Sequence, residues 1–195
     1  GDMVLVERAG DVIPYIVKSL PESRTGEESL IKFPSACPDC GSKLFKEEGE
    51  AVWRCVNIDC PAQVVERIIH FVSKDAMDIR SFGEANVRKF YELGMEGFGE
   101  KSINNLSAAI ANSRIQPLHR LIFALGIRYV GETTAKTLAQ SVKHLMDLST
   151  MSLEELQQME DVGVKVAASI YQFFRNPANL NLLEQLEGLG LNMKS

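Results

Sequence analysis

The chain lacks most of the features that would reveal a function at once. Its 195 residues contain no apolar run long enough to cross a membrane. The start, Gly1-Asp2-Met3, carries no basic stretch followed by an apolar one, so no secretory signal is visible and the cytoplasm is the expected location. Only three histidines occur, His70, His119 and His144, and none stands in a triad pattern with a serine, cysteine or acid. They are expected to be surface or helix-packing residues. Basic residues are outnumbered: 21 Lys and Arg against 26 Asp and Glu, a net charge of −5. That balance argues against a surface that binds polyanions indiscriminately, but leaves room for a local grip by backbone amides and a few cations. With 45% hydrophobic and 24% charged residues, the chain reads as globular, with room for one or two domains and small modules.

Cysteine is scarce but placed with purpose. The four are Cys37-x2-Cys40, fourteen residues, then Cys55-x4-Cys60. Two short pairs, each in a turn marked by Pro38 and Gly41 or by Asn57 and Asp59, can set four thiolates about 2.3 Å from one Zn²⁺. With all four positions filled by protein, such a zinc is structural, and its binding energy is folding energy. Two disulfides are the alternative, and a redox Cys-x-x-Cys is weaker still because no βαβ pattern surrounds it. Trp53, between the pairs, is expected to cover the module's small core.

Glycine carries the internal repeat. Gly83, Gly99, Gly131 and Gly163 each follow an apolar residue (Phe82, Phe98, Val130, Val162) and open a helical pattern. The last three are 32 residues apart and the first gap is 16, which indicates stacked supersecondary units with half a unit absent. Glycine tolerates positive φ, and at the mouth of a helix it leaves amide N–H groups pointing outward, where the helix dipole favours an anion. The purely structural alternative is that these glycines only permit close helix packing. Behind each glycine an apolar set recurs at spacings of three and four: Val87-Phe90-Tyr91, Ile103-Leu106-Ile110, Ala135-Leu138-Ala139-Val142 and Val166-Ala167-Ile170-Phe173-Phe174. Leu180, Leu183, Leu186 and Leu189 predict a terminal core helix entered through Asn176-Pro177.

The first residues differ in kind. Met3–Arg8 and Val12–Val17 are β-rich runs joined by Ala9-Gly10-Asp11, a predicted hairpin with Pro14 at an edge or bulge. A lone hairpin is marginal in water, so these strands are expected to belong to a larger sheet, and the chain to a longer protein.

The glycine turns resemble the helix-hairpin-helix motif of DNA repair and replication proteins. Gly97-Phe98-Gly99-Glu100-Lys101 matches best; Ser81-Phe82-Gly83 and Asp161-Val162-Gly163 replace the first glycine, and the third copy runs through Arg128 and Tyr129. Those departures leave a more structural role open for the three copies. Taken in order, with Ala9–Pro14, Cys60-Pro61-Ala62-Gln63, His70-Phe71-Val72-Ser73 and Ala124–Gly131, the modules resemble the C-terminal half of bacterial NAD-dependent DNA ligase.

The resemblance implies a multidomain, mainly α architecture. Residues 1–33 would be the last strands of an oligonucleotide-binding (OB) barrel with a linker, 34–62 a four-cysteine zinc finger, and 63–195 a helix-hairpin-helix domain with hairpins near 78–93, 94–112, 118–142 and 152–175. Adenylation and BRCT domains are expected outside the chain. It implies a bacterial, cytoplasmic enzyme that seals nicked double-stranded DNA in replication and repair, with NAD and Mg used by the whole enzyme and not by this chain. The family's Lys-x-Asp-Gly motif is absent, so the chain alone is expected to be inactive and to supply the grip on DNA. Zinc would be held by Cys37, Cys40, Cys55 and Cys60. DNA contacts would come from Gly83, Gly97, Gly99, Lys101, Arg128, Gly131, Thr133, Lys136, Gly163 and Lys165, with Arg8 on the strand hairpin. Glu84, Glu100 and Glu132 suit the first helical turn better than DNA.

The resemblance also implies a further helix where Leu93-Gly94 runs into Met95. Either it is deleted or the sequence at hand omits it; omission is preferred, because losing the helix would expose its neighbours' apolar face. Two other classes stay open: a repair nuclease or glycosylase using Asp161 and Lys165, and a non-catalytic protein-docking module.

Overall fold

The structure is a computed structural model that describes residues 1–10 and 13–195. By its contacts the chain divides into two units, Gly1–Val56 and Asn57–Ser195.

In the first unit β1 (Val4–Ala9) pairs antiparallel with β2 (Ile13–Ser19), Arg8 facing Pro14 and Val4 facing Ser19. The expected hairpin is present; its turn at Asp11 and Val12 lies outside the described residues. The irregularity in register falls between Leu5 and Val6, so Pro14 sits in a regular pair and the bulge is elsewhere. Both faces stay in solvent: Val6 is 52% and Ile16 66% exposed. Arg24 forks onto both carboxylate oxygens of Asp2 at 2.7 Å, which holds the carboxyl below its usual pKa through that hydrogen-bonded pair. Two-residue strands β3 (Leu44–Phe45) and β4 (Arg54–Cys55) make the second antiparallel ribbon.

The second unit is helical, with eight α-helices among the described residues: α1 (Pro61–Val72), α2 (Glu84–Leu93), α3 (Glu100–Ser113), α4 (Leu118–Ala124), α5 (Glu132–Ser141), α6 (Leu153–Gln157), α7 (Val164–Phe173) and α8 (Pro177–Gly188). They pack as sequential pairs, α1 on α2, α4 on α5 and α6 on α7. The shared core is built from Met77, Leu121, Ile122, Leu138, Leu145, Leu156, Ile170, Phe174 and their neighbours. The later pairs turn their apolar stripes inward, as the spacings predicted: Ala135, Leu138, Ala139 and Val142 are buried, as are Ala167, Ile170 and Phe174. Arg120 ties the loop after α1 to α4, donating through Nε to the Ala76 carbonyl at 2.6 Å and through its other nitrogen to that of Lys74.

Two expectations fail. Phe90 and Tyr91 on α2 are 38% and 47% exposed, and Leu93, Met95 and Ile110 are exposed as well; Phe90 meets Phe82 and Phe98 edge-on, with centroids 5.6 and 6.3 Å away, and part of its ring stays in solvent. Leu189 is 60% exposed because α8 ends before it. Gly190, at φ +87, turns the chain back there, and Met193 fills the core instead. The start of α8 is as expected, with the Asn176 side chain accepting from the Ala178 amide at 2.9 Å.

Two of the histidines pack rather than react. His70 Nε2 lies 2.8 Å from the Phe123 carbonyl, with its ring edge-on to Phe123. His144 Nδ1 accepts the Met146 amide at 3.2 Å, while Nε2 meets Glu187 at 3.1 Å.

Candidate nucleic-acid interface and cysteine centre

The sulfurs of Cys37, Cys40, Cys55 and Cys60 all lie within 4.8 Å of one another. Local turns place them. Gly41, at φ +71, lets its amide close back on the Cys37 carbonyl at 2.9 Å, and the Cys37 amide reaches Ser42. Asn57 accepts the Asp59 amide at 3.0 Å, and its carbonyl takes the Cys60 amide, which delivers Cys60 to the N-cap of α1.

No disulfide joins the cysteines. Cys40 and Cys55 sulfurs are 3.5 Å apart, far beyond an S–S bond of about 2.05 Å. Tetrahedral thiolates about 2.3 Å from a metal are about 3.8 Å apart, so the cluster fits one such ion with little adjustment. Trp53 departs from expectation: it is 41% exposed and stacks on Phe33 with centroids 5.4 Å apart. Two-residue strands bury sulfurs but are too small to enclose an indole.

The four glycine turns share one backbone. Two residues before each glycine the chain is left-handed: Ser81 at φ 65, Gly97 at 79, Tyr129 at 66 and Asp161 at 61. The next residue is the apolar anchor, with Phe82, Val130 and Val162 buried. Its amide donates to the carbonyl three residues back, at 3.0 to 3.3 Å in all four. The glycine follows as N-cap, at φ between −75 and −89.

The positive φ expected of Gly83, Gly99, Gly131 and Gly163 therefore belongs two positions earlier, and only in the second copy does a glycine occupy it. Space does not demand glycine at the caps either: a Cβ on any of the four would meet nothing within 4 Å. The close-packing alternative thus loses its support. Nor does a side chain cap these four helices, whereas α6 and α8 are capped by Ser152 and Asn176. The four mouths keep their first-turn amides turned outward with no methyl in the way.

Around the mouths the predicted side chains are exposed. Lys101, Thr133, Lys136 and Lys165 lie in the opening turns of α3, α5 and α7. Arg128 packs its guanidinium on the Tyr129 ring at 4.6 Å. Glu84, Glu100 and Glu132 are first-turn acids, as expected. Arg8 stands exposed on β1. Asp161 and Lys165 are exposed and form no ion pair among the described residues.

The structure adds residues that no motif marked. Lys89 donates to the Gly97 carbonyl at 2.8 Å and lies over the Phe98 ring. Beside the third mouth, Lys74, His119, Arg120 and Lys136 line a cleft of about 280 Å³ with Asp75, Asp78 and Glu132. His119 is held below its usual pKa by burial and then by the charges of Lys136 and Arg120.

Residues 36–62 match the NAD-dependent DNA ligase C4 zinc finger domain, and residues 120–183 match the helix-hairpin-helix motif. The chain is 55% identical over 98% of its length to a DNA ligase of Persephonella marina, 56% over 99% to one of Sulfurihydrogenibium azorense, and 48% over 99% to one of Aquifex aeolicus. Over nearly its whole length the chain is similar to one segment of DNA ligases, and its finger to that of the NAD-dependent ones. It spans about 30% of the length of these ligase relatives. The alignment to the Persephonella ligase runs over 209 positions, yet 98% of this 195-residue chain supplies about 191 of them. The other 18 or so are positions where the relative has residues and this chain has none, and the Sulfurihydrogenibium and Aquifex alignments, each over 211 positions, show the same excess.

Proposed function

We propose that this chain is the DNA-gripping region of a nick-sealing ligase: it holds the sugar-phosphate backbone of duplex DNA across its four hairpin mouths, with little preference for base sequence. The observation that carries this reading is the set of four N-cap glycines for which neither φ nor internal packing calls. What remains is close approach from outside, and outward amides at a helix N-terminus suit a phosphate. Lys101, Arg128, Lys136 and Lys165, with Thr133, assist the amides of Gly83, Gly97, Gly99, Gly131 and Gly163, and Arg8 adds a cation on the strand hairpin.

Cys37, Cys40, Cys55 and Cys60 would hold a structural zinc, whose role is to fold the finger. The exposed faces of β1 and β2 suit the edge of a larger OB barrel. Adenylation of a lysine by NAD with Mg, transfer of AMP to the 5′-phosphate and displacement by the 3′-hydroxyl would take place in the rest of the enzyme, in the bacterial cytoplasm during replication and repair.

The test is fluorescence anisotropy of the zinc-loaded chain on nicked and intact duplexes across a salt series. Affinity that falls linearly in log–log form with salt, at a slope of about −0.9 per phosphate neutralised by a cation, supports the reading. Absence of binding at low salt, or strand cleavage of abasic duplex, overturns it in favour of the docking module or the repair nuclease.

A further inference from the structure

The helical unit also carries a polar groove that no sequence pattern marked. Two clefts, of about 450 Å³ and 290 Å³, share Ser81 and Asn105 as walls. The larger lies between the Asp78–Ser81 turn and one face of α3, where Asn105 and Asn112, seven residues apart, point to the same side, and Gln116 in the turn after the helix closes the far end. Ala108 and Ala109 keep that wall low. The smaller continues past Asn86 and Lys89 to Gly97, Phe98 and Ser102, beside the mouth of α3. The groove therefore leads from the turn that precedes α2 to the mouth of α3.

Its chemistry is specific in one respect. Asp78, the one acid among its walls, is engaged by Arg80 at 3.2 Å. Arg80 and Lys89 are the cations, and the remaining polar walls are neutral amides and hydroxyls. Asn86 donates to the Ser81 carbonyl and Lys89 to that of Gly97, each at 2.8 Å. Among the described residues, the side chains of Ser102, Asn105 and Asn112 make no hydrogen bond to protein. Two amides and a hydroxyl are thus presented along one channel between two phosphate-ready mouths.

We infer that this groove takes the sugar-phosphate backbone of a DNA strand between the mouths of α2 and α3, with Asn105, where the two clefts meet, as its central contact. The inference rests on the duplex-binding reading above. A strand fixed at both mouths must pass over what lies between them, and Asn, Gln and Ser side chains contact phosphate and sugar oxygens without reading bases. A neutral amide releases no counterion, so Asn105 contributes affinity without contributing to the salt dependence.

That separation gives the test: anisotropy of the zinc-loaded chain on a labelled nicked duplex over a salt series, for the parent, Asn105→Ala, Asn105→Asp and, as a control beside it on α3, Asn104→Ala. Asn105→Ala should weaken binding about threefold to tenfold at every salt concentration with an unchanged slope, as the loss of one net hydrogen bond predicts. Asn105→Asp keeps the size but sets a like charge against phosphate, and should lose more than tenfold; Asn104→Ala should match the parent. Asn105 is exposed and makes no hydrogen bond to protein, so circular dichroism should be the same for all four. If both Asn105 variants bind like the parent while Gly99→Ser with Gly131→Ser does not, the groove is no contact and the duplex reading stands. If the parent itself does not bind, both fall.

Discussion

Replacing Gly99 and Gly131 together by serine should drive stability and binding in opposite directions. Both glycines are N-caps with φ of −75 and −89, a conformation open to serine, and an added Cβ meets nothing within 4 Å at either site. Serine is a slightly better N-cap than glycine, by a few tenths of a kcal/mol, because its hydroxyl accepts an orphan first-turn amide. Two such caps should leave the melting temperature unchanged or raise it by about 1–2 °C.

The same hydroxyl occupies the amide that a phosphate would take, and its methylene stands where the phosphate would approach. Hydrogen bonds to charged groups contribute about 1.5–3 kcal/mol each, so each blocked mouth should cost tenfold or more in affinity. The assay pairs thermal denaturation with anisotropy on nicked duplex. A doubly substituted chain that melts no lower than the parent yet binds about a hundredfold more weakly or worse is the expected result. Unchanged affinity would refute the mouths as phosphate sites, and a lowered melting temperature would refute the claim that glycine is structurally dispensable there.

Three further outcomes follow from the same geometry. Lys101→Gln and Lys136→Gln should each make the log–log salt slope shallower by about 0.9 if the cation neutralises a phosphate, and an unchanged slope for either would remove that lysine from the contact. Cys60→Ser, or zinc removal by a chelator, should unfold the 36–62 finger, with loss of protection in hydrogen exchange there while the α4–α7 core stays protected; a finger that keeps its protection without metal would overturn its metal dependence. Splicing the additional residues of the Persephonella ligase between Gly94 and Met95 should raise the melting temperature and reduce binding of a hydrophobic dye. The 16-residue first gap and the exposed Leu93, Met95 and Ile110 are the grounds for expecting the absent half-unit there; a splice that leaves both measurements unchanged would put it elsewhere.

What could be read from the sequence was what depends on neighbours along the chain. Cys37 and Cys40 are brought together by one turn and Cys55 and Cys60 by another, so spacing alone foretold the cluster. The hairpin glycines were legible for the same reason, but their conformation was not. The left-handed residue is Ser81, Tyr129 or Asp161 in three copies, of which only the aspartate is a type enriched at positive φ, and the glycine that recurs in all four, two residues later, drew attention to the wrong member of the motif.

Contacts between distant segments left no trace in the local pattern. Arg120 fastens carbonyls 44 and 46 residues away, and Asn105 meets Ser81 across a groove formed only when α3 lies beside the preceding turn. Leu189 looked like the next step of a leucine series, but Gly190 reverses the chain and gives the core position to Met193.

A net charge of −5 and a grip on DNA are compatible only if the grip is local, and the mouths show how acids are managed there. Three of the four carry a glutamate at the first helical position, where it favours the helix but faces an approaching phosphate. At the first mouth Arg88 draws Glu84 aside at 2.9 Å and holds Glu66 at 2.6 Å as well. Glu100 and Glu132 have no ion pair among the described residues, and each is followed within about a turn by a lysine, Lys101 or Lys136. The acid and the lysine nearly cancel at long range, so little steering is left beyond a Debye length of about 8 Å. At contact the balance changes, since the amides already face outward and the lysine can turn toward the phosphate while the glutamate swings into solvent. Binding of this kind would depend on the fit of backbone to backbone more than on attraction from afar, as the proposed grip on duplex requires.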